Sequence, residues 1–381
     1  MDDKQARAWA TIDSSALRKN LAQVRVLSPE AGIVPVIKAN AYGHGMRAVA
    51  RVLAKTHTQI AGLAVATHAE ALRLDELELG LPIIVLGGFT SAAELAESLE
   101  HGLEPVVHSP WQLTLLEQVF NEQIFGDKRK LWLKVNTGMN RLGFAPDAAF
   151  DAYRVLHKYP GVEIVLMTHL AWADEPDDAD AVSFTGKQLA AFAALRERLA
   201  SQERETFACS VAASTGILTQ PQSHYEFLRP GIMLYGSSPL AGRSAEELGL
   251  QPVMTLSARL LAINEVAAGQ RVGYGATYTC ERDSRVGIVA IGYGDGYPRS
   301  VPSGTPVLVK TASGATRTRL IGRVSMDTLA IDLTDLPEAT VGDEAVLWGD
   351  GLSADEIAQA AGTIAYELFC QVTLRVPRIY V

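Results

Sequence analysis

Over the first two-thirds of the chain, short β-branched runs alternate with stretches whose apolar residues recur every three or four positions. The run Gly32-Ile33-Val34-Pro35-Val36-Ile37 is bounded by glycine and proline, and it reads as a buried strand that ends where Lys38 opens a polar segment. Further strands are expected at Ile60 to Thr67, Pro82 to Gly88, Glu104 to Ser109, Lys130 to Asn136, Val162 to His169, Thr206 to Ser214 and Phe227 to Gly236. Between them fall amphipathic helices. Asp13-Ser14-Ser15 offers cap oxygens to a helix carrying Leu17, Leu21, Val24 and Leu27, and later ones are expected at Met46 to Lys55, His68 to Leu79, Ser91 to His101, Trp111 to Gln123, Pro146 to Tyr159 and Ala181 to Ser201.

Eight strands alternating with helices over about 230 residues have the length and rhythm of a (β/α)8 barrel, with an open doubly wound sheet as the alternative. Polar residues just past the strand ends, namely Lys38, His68, Ser109, Asn136, His169, Ser214 and Arg229, favour the barrel, because barrel sites are built from the loops on that face.

After Ser237-Ser238-Pro239-Leu240-Ala241-Gly242-Arg243 the pattern changes to strand-like segments divided by glycine and proline turns. These are Met254 to Asn264, Gln270 to Thr279, Arg285 to Gly292, Pro306 to Thr311, Thr318 to Ser325 and Leu329 to Leu333, followed by a helix that Ser353 and Glu356 would open as a capping box. The expected fold is therefore α/β: an N-terminal TIM-type barrel over residues 8–243 and a β-rich C-terminal domain over 244–381, with residues 1–7 a candidate addition to the second.

Composition narrows the function classes. In 381 residues, 48% are hydrophobic and 20% charged, as in an enzyme with a sizeable core. A net charge of −9 argues against a nucleic-acid footprint, which needs clustered Lys and Arg. No apolar run approaches the ~20 residues of a membrane span, and the first residues lack a signal-like apolar segment, so a cytoplasmic protein is expected. Cys209, Cys280 and Cys370 are widely spaced, which indicates neither a disulfide framework nor a metal site; reduced packing residues are expected.

The chemistry centres on Lys38. An amine desolvated at a strand end has its charged form disfavoured, so the neutral amine becomes available for Schiff-base chemistry. Tyr42 and His44 follow within a few residues, on a glycine-rich turn. The segment Val36-Ile37-Lys38-Ala39-Asn40-Ala41-Tyr42-Gly43-His44-Gly45 resembles the pyridoxal-phosphate lysine segment of the alanine racemase family. The resemblance continues in order along the chain. Thr137-Gly138-Met139-Asn140-Arg141-Leu142-Gly143 is similar to the family's T-G-M-x-R-L-G, Met167-Thr168-His169 to the segment whose histidine lies beside the cofactor, and Arg229-Pro230-Gly231-Ile232 to its R-x-G-I. Tyr274-Gly275-Ala276-Thr277-Tyr278, Gly292-Tyr293-Gly294-Asp295-Gly296-Tyr297 and Arg323-Val324-Ser325-Met326-Asp327 resemble C-terminal blocks of the same family.

The resemblance implies a fold-type III enzyme using pyridoxal 5'-phosphate to interconvert L-alanine and D-alanine, for peptidoglycan or for alanine catabolism. It gives Lys38 and Tyr274 as opposed bases, and Arg229 as the partner of the pyridine nitrogen. It puts Tyr366 at the phosphate, Tyr42 among the cofactor-binding residues and His169 beside the ring, while the loops after the seventh and eighth strands, where barrels often hold phosphate, offer Ser214 and the turn Pro230-Gly231-Ile232. Arg141, Tyr293 and Met326 would meet the substrate, while Lys134 matches a lysine that is carbamylated in many members. It also implies a head-to-tail homodimer in which the tyrosine base comes from the partner, activated by neighbours for which His169 and Arg229 are the candidates. Two motifs depart from the pattern: Asn136 replaces the usual aspartate, and Ser210-Val211-Ala212-Ala213-Ser214 replaces N-S-A-A-S, which puts Val211 where the phosphate serine is expected. The competing readings are a related racemase acting on serine or a basic amino acid, a decarboxylase, and a non-catalytic cofactor-binding protein. An arginine rather than an acid at Arg229 speaks against the decarboxylase, and the Tyr274 block against the last.

Overall fold

The computed structural model describes residues 6–56, 60–122, 128–204 and 206–381; Gln123 and residues 1–5 lie outside them. Six strands, Leu63–Val65, Ile83–Val85, Glu104–Val107, Arg129–Lys134, Val162–Met167 and Ala208–Ser210, pair in parallel and in chain order. Gly32–Ile33 and Phe227–Leu228 pair with each other, and single bridges from Ile33 to Ile60, Val36 to Ala64 and Ala213 to Arg229 tie them to the ends of the row. The barrel thereby closes. The first and last strands are shorter than their apolar runs because Pro35 and Pro230 lack an amide N–H and interrupt the ladder, although the Pro35 and Pro230 carbonyls still accept from Ala64 and Val36.

Helices run between the strands close to their expected bounds: Ser14–Leu27, Met46–Ala54, His68–Asp75, Ala92–Glu100, Pro110–Glu122, Pro146–His157 and Ala179–Glu203. Asp13 caps the first as expected, accepting from the amides of Ser15 and Ala16. The segment expected to run extended from Phe227 to Gly236 instead turns at Ile232–Tyr235 into a single 3-10 turn. There the Ser214 hydroxyl takes the Gly231 amide that a ladder would have used.

The C-terminal domain is an antiparallel sheet in which Met254–Val266 pairs both with Glu344–Trp348 and with Ser284–Val289, so that six strands curl into a small closed barrel. Ala8–Ile12 falls in the first domain on the 8–243 expectation. Its backbone instead pairs with Met254–Val266, and Arg378–Tyr380 pairs in parallel on its other side. Ala8–Ile12 and Arg378–Tyr380 thus complete the second sheet, and Arg378 and Tyr380 bond the segment after Lys38 in the first domain. Gln270 to Thr279, expected as one strand, is a hairpin of Arg271–Val272 and Tyr278–Thr279. The Ser353 cap accepts from the Asp355 amide and not through a box with Glu356, whose carboxylate bonds Arg317. One hydrophobic core runs across the domains, from Val36 and Trp132 to Trp348 and Phe369. Among the described residues no helix is long and apolar enough to cross a membrane.

Candidate active site

Lys38 follows the buried Ile37 at the barrel mouth and opens an unusual turn. Ala39, Asn40, Ala41 and Tyr42 have φ of 51°, 55°, 55° and 50°, a full left-handed turn made without glycine. Each such residue costs roughly 1–2 kcal/mol, so the turn persists only because its surroundings hold it. The Ala41 amide donates to Ile37 O at 2.8 Å and the Gly45 amide to Asn40 O at 2.9 Å. Asn40 Oδ1 accepts from the Met46 amide at 2.9 Å, and Glu70 Oε1 from the Ala39 amide at 2.7 Å. From the C-terminal strand, Arg378 Nε donates to Gly43 O at 3.1 Å and Tyr380 Oη to His44 O at 3.1 Å. Gly43 has φ of 77° and abuts the Phe369 carbonyl so closely that a Cβ would stand 1.9 Å from its oxygen.

His44, only six residues after Lys38 in the chain, turns into the core. It is fully buried with ring centroids 4.6 Å from Tyr235 and 5.1 Å from Phe369, its Nδ1 2.8 Å from Tyr42 O, and burial pushes its pKa down to about 4. His44 therefore braces the turn. His68 bonds Ser98 and Glu97, and Ser109 bonds His108.

Around Lys38 the barrel gathers cations. Burial and the Arg141 charge lower the Lys38 pKa, against the opposing Glu70 carboxylate. Lys134, buried at the end of its strand, is pushed down to about 8 by burial, then by Arg229, Arg141 and Lys38. His169 falls to about 3 through burial and the same set of cations, so it is neutral in any ordinary buffer. Arg229 is buried, and its guanidinium bonds neutral oxygens: Ser210 Oγ, Thr168 O at 2.6 Å and Val211 O at 3.2 Å. Burial alone lowers its pKa to about 10, which leaves it a cation near neutral pH. Asn136, at the family's aspartate position, accepts from the amides of Gly138 at 3.1 Å and Asn140 at 2.9 Å and so shapes the loop that carries Arg141.

Beside the amine lies a polar cradle. Ser214 Oγ accepts from the Gly231 amide at 2.9 Å, and a Cβ on Gly231 would stand 2.8 Å from Tyr42 Oη and 3.9 Å from Ser214 Oγ. The Tyr42 ring lies 5.9 Å from that of Tyr366. Ile232 follows, fully buried, while Val211 is buried in the core with its carbonyl bonded to Arg229. Of the two positions open from the sequence, Ser214 is the one with a hydroxyl at the cradle.

Tyr366 is the C-terminal-domain candidate that reaches this cradle, whereas Tyr274, Tyr293 and Met326 stand exposed. Tyr274 is 71% exposed at the tip of its hairpin, Met326 is 52% exposed and Tyr293 is 39% exposed. Tyr293 and Met326 are held together: the Tyr293 amide bonds Ser325 O at 3.1 Å and the Gly294 amide bonds Met326 O at 2.8 Å. Asp295, 1% exposed, anchors the same turn through the Gly292 amide at 3.0 Å and ion pairs with Arg7 and Arg375.

Comparison with known proteins decides the family. A model of the alanine racemase N-terminal domain matches residues 12–239, and one of the C-terminal domain matches residues 253–380. The chain belongs to the alanine racemase family. The biosynthetic alanine racemase of Pseudomonas aeruginosa is 46% identical over 372 residues, covering 97% of this chain and 98% of that one. The catabolic alanine racemase of Pseudomonas putida is 47% identical over 375 residues, covering 98% and 99%. The crystal structure of the P. aeruginosa biosynthetic enzyme superposes with a TM-score of 0.89 at 44% identity over 99% of this chain and 100% of that chain. That of Acinetobacter baumannii alanine racemase gives 0.88 at 34% identity over 99% and 100%.

Alanine racemases are isomerases that depend on pyridoxal 5'-phosphate. The residues present fit that cofactor. Besides burial, the Arg141 charge disfavours the charged form of Lys38, and Arg229, Arg141 and Lys38 disfavour that of Lys134, a repulsion that an anionic phosphate ester relieves. Next to them, Ser214, Tyr42 and the backbone at Gly231 form a cradle without room for a side chain. Two neighbours of Lys38, Glu70 and Cys370, were missed from the sequence. For Glu70 a signal existed: Thr67 and Glu70 form the capping box of the helix His68–Asp75.

Proposed function

We propose that the chain interconverts L-alanine and D-alanine by moving the Cα proton between two faces, Lys38 serving one and Tyr274 of a partner subunit the other. What carries the reading is a recessed amine, rendered less basic by burial and Arg141 inside a cation-lined mouth, combined with a tyrosine exposed at a hairpin tip of the other domain. A phenol so exposed suits burial by a second copy packed head to tail. Relatives named as biosynthetic and as catabolic alanine racemases are equally similar, which fits a product destined for peptidoglycan or for alanine breakdown.

When bound, pyridoxal phosphate supplies the imine carbon and the electron sink that make the Cα proton removable. Lys38 anchors it and, once released by substrate, accepts or returns the proton on its own face. Ser214, Tyr42, Tyr366 and the backbone at Gly231 and Ile232 would hold the phosphate, and His169, a neutral imidazole, would stand beside the ring. Arg229, which stays protonated, would donate to the pyridine nitrogen and so keep the ring from gaining full positive charge. Arg141 binds the substrate carboxylate. Lys134, with its pKa near 8, carries enough neutral amine to add CO2, releasing a proton and becoming an anion that steadies Arg141 and offsets Arg229. Tyr293 and Met326 of the partner subunit narrow the entrance and keep water out.

Incubation with L-alanine and chiral chromatography should show both enantiomers at equal concentration. Tyr274→Phe should keep the cofactor's visible absorbance while losing racemisation and losing deuterium exchange at Cα of the one enantiomer whose hydrogen faces Tyr274, with Lys38 still exchanging the other; undiminished racemisation sinks the two-base assignment. Mixing inactive Lys38→Ala with inactive Tyr274→Phe should restore activity, because a hybrid dimer with shared sites has one intact site. No recovery, with hybrids shown by mass, would place both bases in one chain.

A further inference from the structure

Glu70 lies in the first turn of the helix His68–Asp75, and its carboxylate is used entirely on backbone. Oε2 accepts from the amides of Ala66 at 2.8 Å and Thr67 at 3.2 Å, where the second barrel strand passes into the helix. Oε1 reaches across the mouth to the Ala39 amide at 2.7 Å. That amide belongs to the peptide joining Lys38 to Ala39, so the bond fixes the ψ angle of Lys38 and with it the direction in which the side chain departs.

Its importance follows from the left-handed turn. With four non-glycine residues at positive φ, the segment has no intrinsic preference for its shape. Arg378, Tyr380 and His44 hold its far end, whereas the bond to Glu70 holds the end at the amine. Ala39 itself is solvent-exposed, so without Glu70 water would compete for its amide.

We infer that Glu70 is a positioning residue for the Lys38 amine, clamping the peptide after Lys38 so that the amine stays aimed at the cofactor and the substrate Cα; this rests on the racemase reading above. The neighbouring helix provides a matched control. Glu94 occupies the same place behind the cap Ser91 and accepts from the Thr90 amide at 2.7 Å, and both its oxygen contacts and its cap are local to that helix.

The test compares Glu70→Asp with Glu94→Asp in the holoenzyme. Aspartate keeps a negative charge in the first turn of either helix, but at position 70 it is one methylene too short to span from Ala66 to Ala39. Glu70→Asp should lower kcat by between about tenfold and a hundredfold, the scale of misplacing a reacting group by a fraction of an ångström to an ångström, with little change in KM. It should also lower the fraction of bound cofactor in the visible, lysine-linked form, and melt close to Glu94→Asp, which should match the parent in both readouts. Equal kcat and equal spectra for the two variants would overturn the inference, whereas a parent inactive on alanine would strike the racemase reading instead. Should Glu70→Asp fail to fold, amide hydrogen exchange in the parent holoenzyme decides: the Ala39 amide should be protected about a hundredfold or more although its residue is exposed. Exchange at the rate of an open peptide would overturn the inference.

Discussion

Gly43→Ala tests whether the lysine turn is set by its packing against the C-terminal domain. At φ of 77° an alanine costs about 1 kcal/mol over glycine. The larger effect is steric. The new Cβ would lie 1.9 Å from Phe369 O, 1.5 Å inside ordinary contact at 3.4 Å, and the obstacle is backbone that cannot rotate away. Phe369 cannot readily withdraw, being buried with its ring 5.1 Å from His44 and 6.5 Å from Trp348. The displacement therefore falls largely on the turn. A shift of about 1 Å at the reacting amine costs on the order of a hundredfold in kcat/KM, equivalent to about 2.7 kcal/mol. Stability should fall by about 2–4 kcal/mol in total. Gly80→Ala is the control, since Gly80 has φ of 67° and a Cβ there would meet nothing within 4 Å, so only the conformational cost of about 1 kcal/mol applies. Thermal melting and steady-state racemisation of both variants separate the two costs. If Gly43→Ala matches Gly80→Ala in both assays, the turn is not held by that contact and the reasoning fails.

Further expectations concern charge. His44 is held neutral with a folded pKa of about 4 against 6.5 in the open chain. As pH falls below 6.5 the unfolded chain therefore takes up a proton that the folded one refuses, and stability drops until about pH 4, by about 3 kcal/mol in all. His44→Asn, whose amide nitrogen can replace Nδ1, should flatten that limb in denaturant titrations between these pH values; an unchanged limb would remove His44 as its source. Lys134, at about 8 folded against 10.5 unfolded, acts above neutrality: its burial penalty is constant below pH 8 and is relieved as pH rises from 8 toward 10.5. Labelled bicarbonate should give a carbamate carbon resonance in the parent that is missing from Lys134→Ala, and a parent without that resonance would rule the modification out. Arg229→Lys keeps the charge but cannot fork to Ser210, Thr168 and Val211, and a melting-point loss corresponding to about 1–3 kcal/mol is expected; a variant as stable as the parent would show that those bonds contribute little.

The barrel was legible because parallel strands buried on both faces read as unbroken apolar runs between amphipathic helices. The same property explains the failure at Ile232–Tyr235. These four residues are as buried as any strand, and composition cannot show that Ser214 takes the Gly231 amide and turns the chain. Ala8–Ile12 and Arg378–Tyr380 were assigned poorly or missed for a different reason: each is short, and Ala8–Ile12 is a strand because Met254–Val266 and Arg378–Tyr380 flank it, Arg378–Tyr380 because Ala8–Ile12 lies alongside. Long-range pairing of that kind leaves no local trace.

In the site, legibility follows the same division between local and distant causes. Lys38 could be found because the apolar run before it ends abruptly, and the chemistry of a desolvated amine depends on that wall. The shape of the turn after it could not, since Lys38-Ala39-Asn40-Ala41-Tyr42 contains no glycine to advertise a left-handed backbone. That backbone is imposed from three separate places in the sequence, by Glu70, by the Phe369 carbonyl and by Arg378 with Tyr380. The destination of His44 was hidden for the same reason: a left-handed turn sends its ring into the core against Tyr235 and Phe369, which nearness to Lys38 in sequence does not reveal. The amine is thus aimed by groups from both domains, so a change at the C-terminal strand acts on catalysis through the backbone of the turn and not through any contact with substrate.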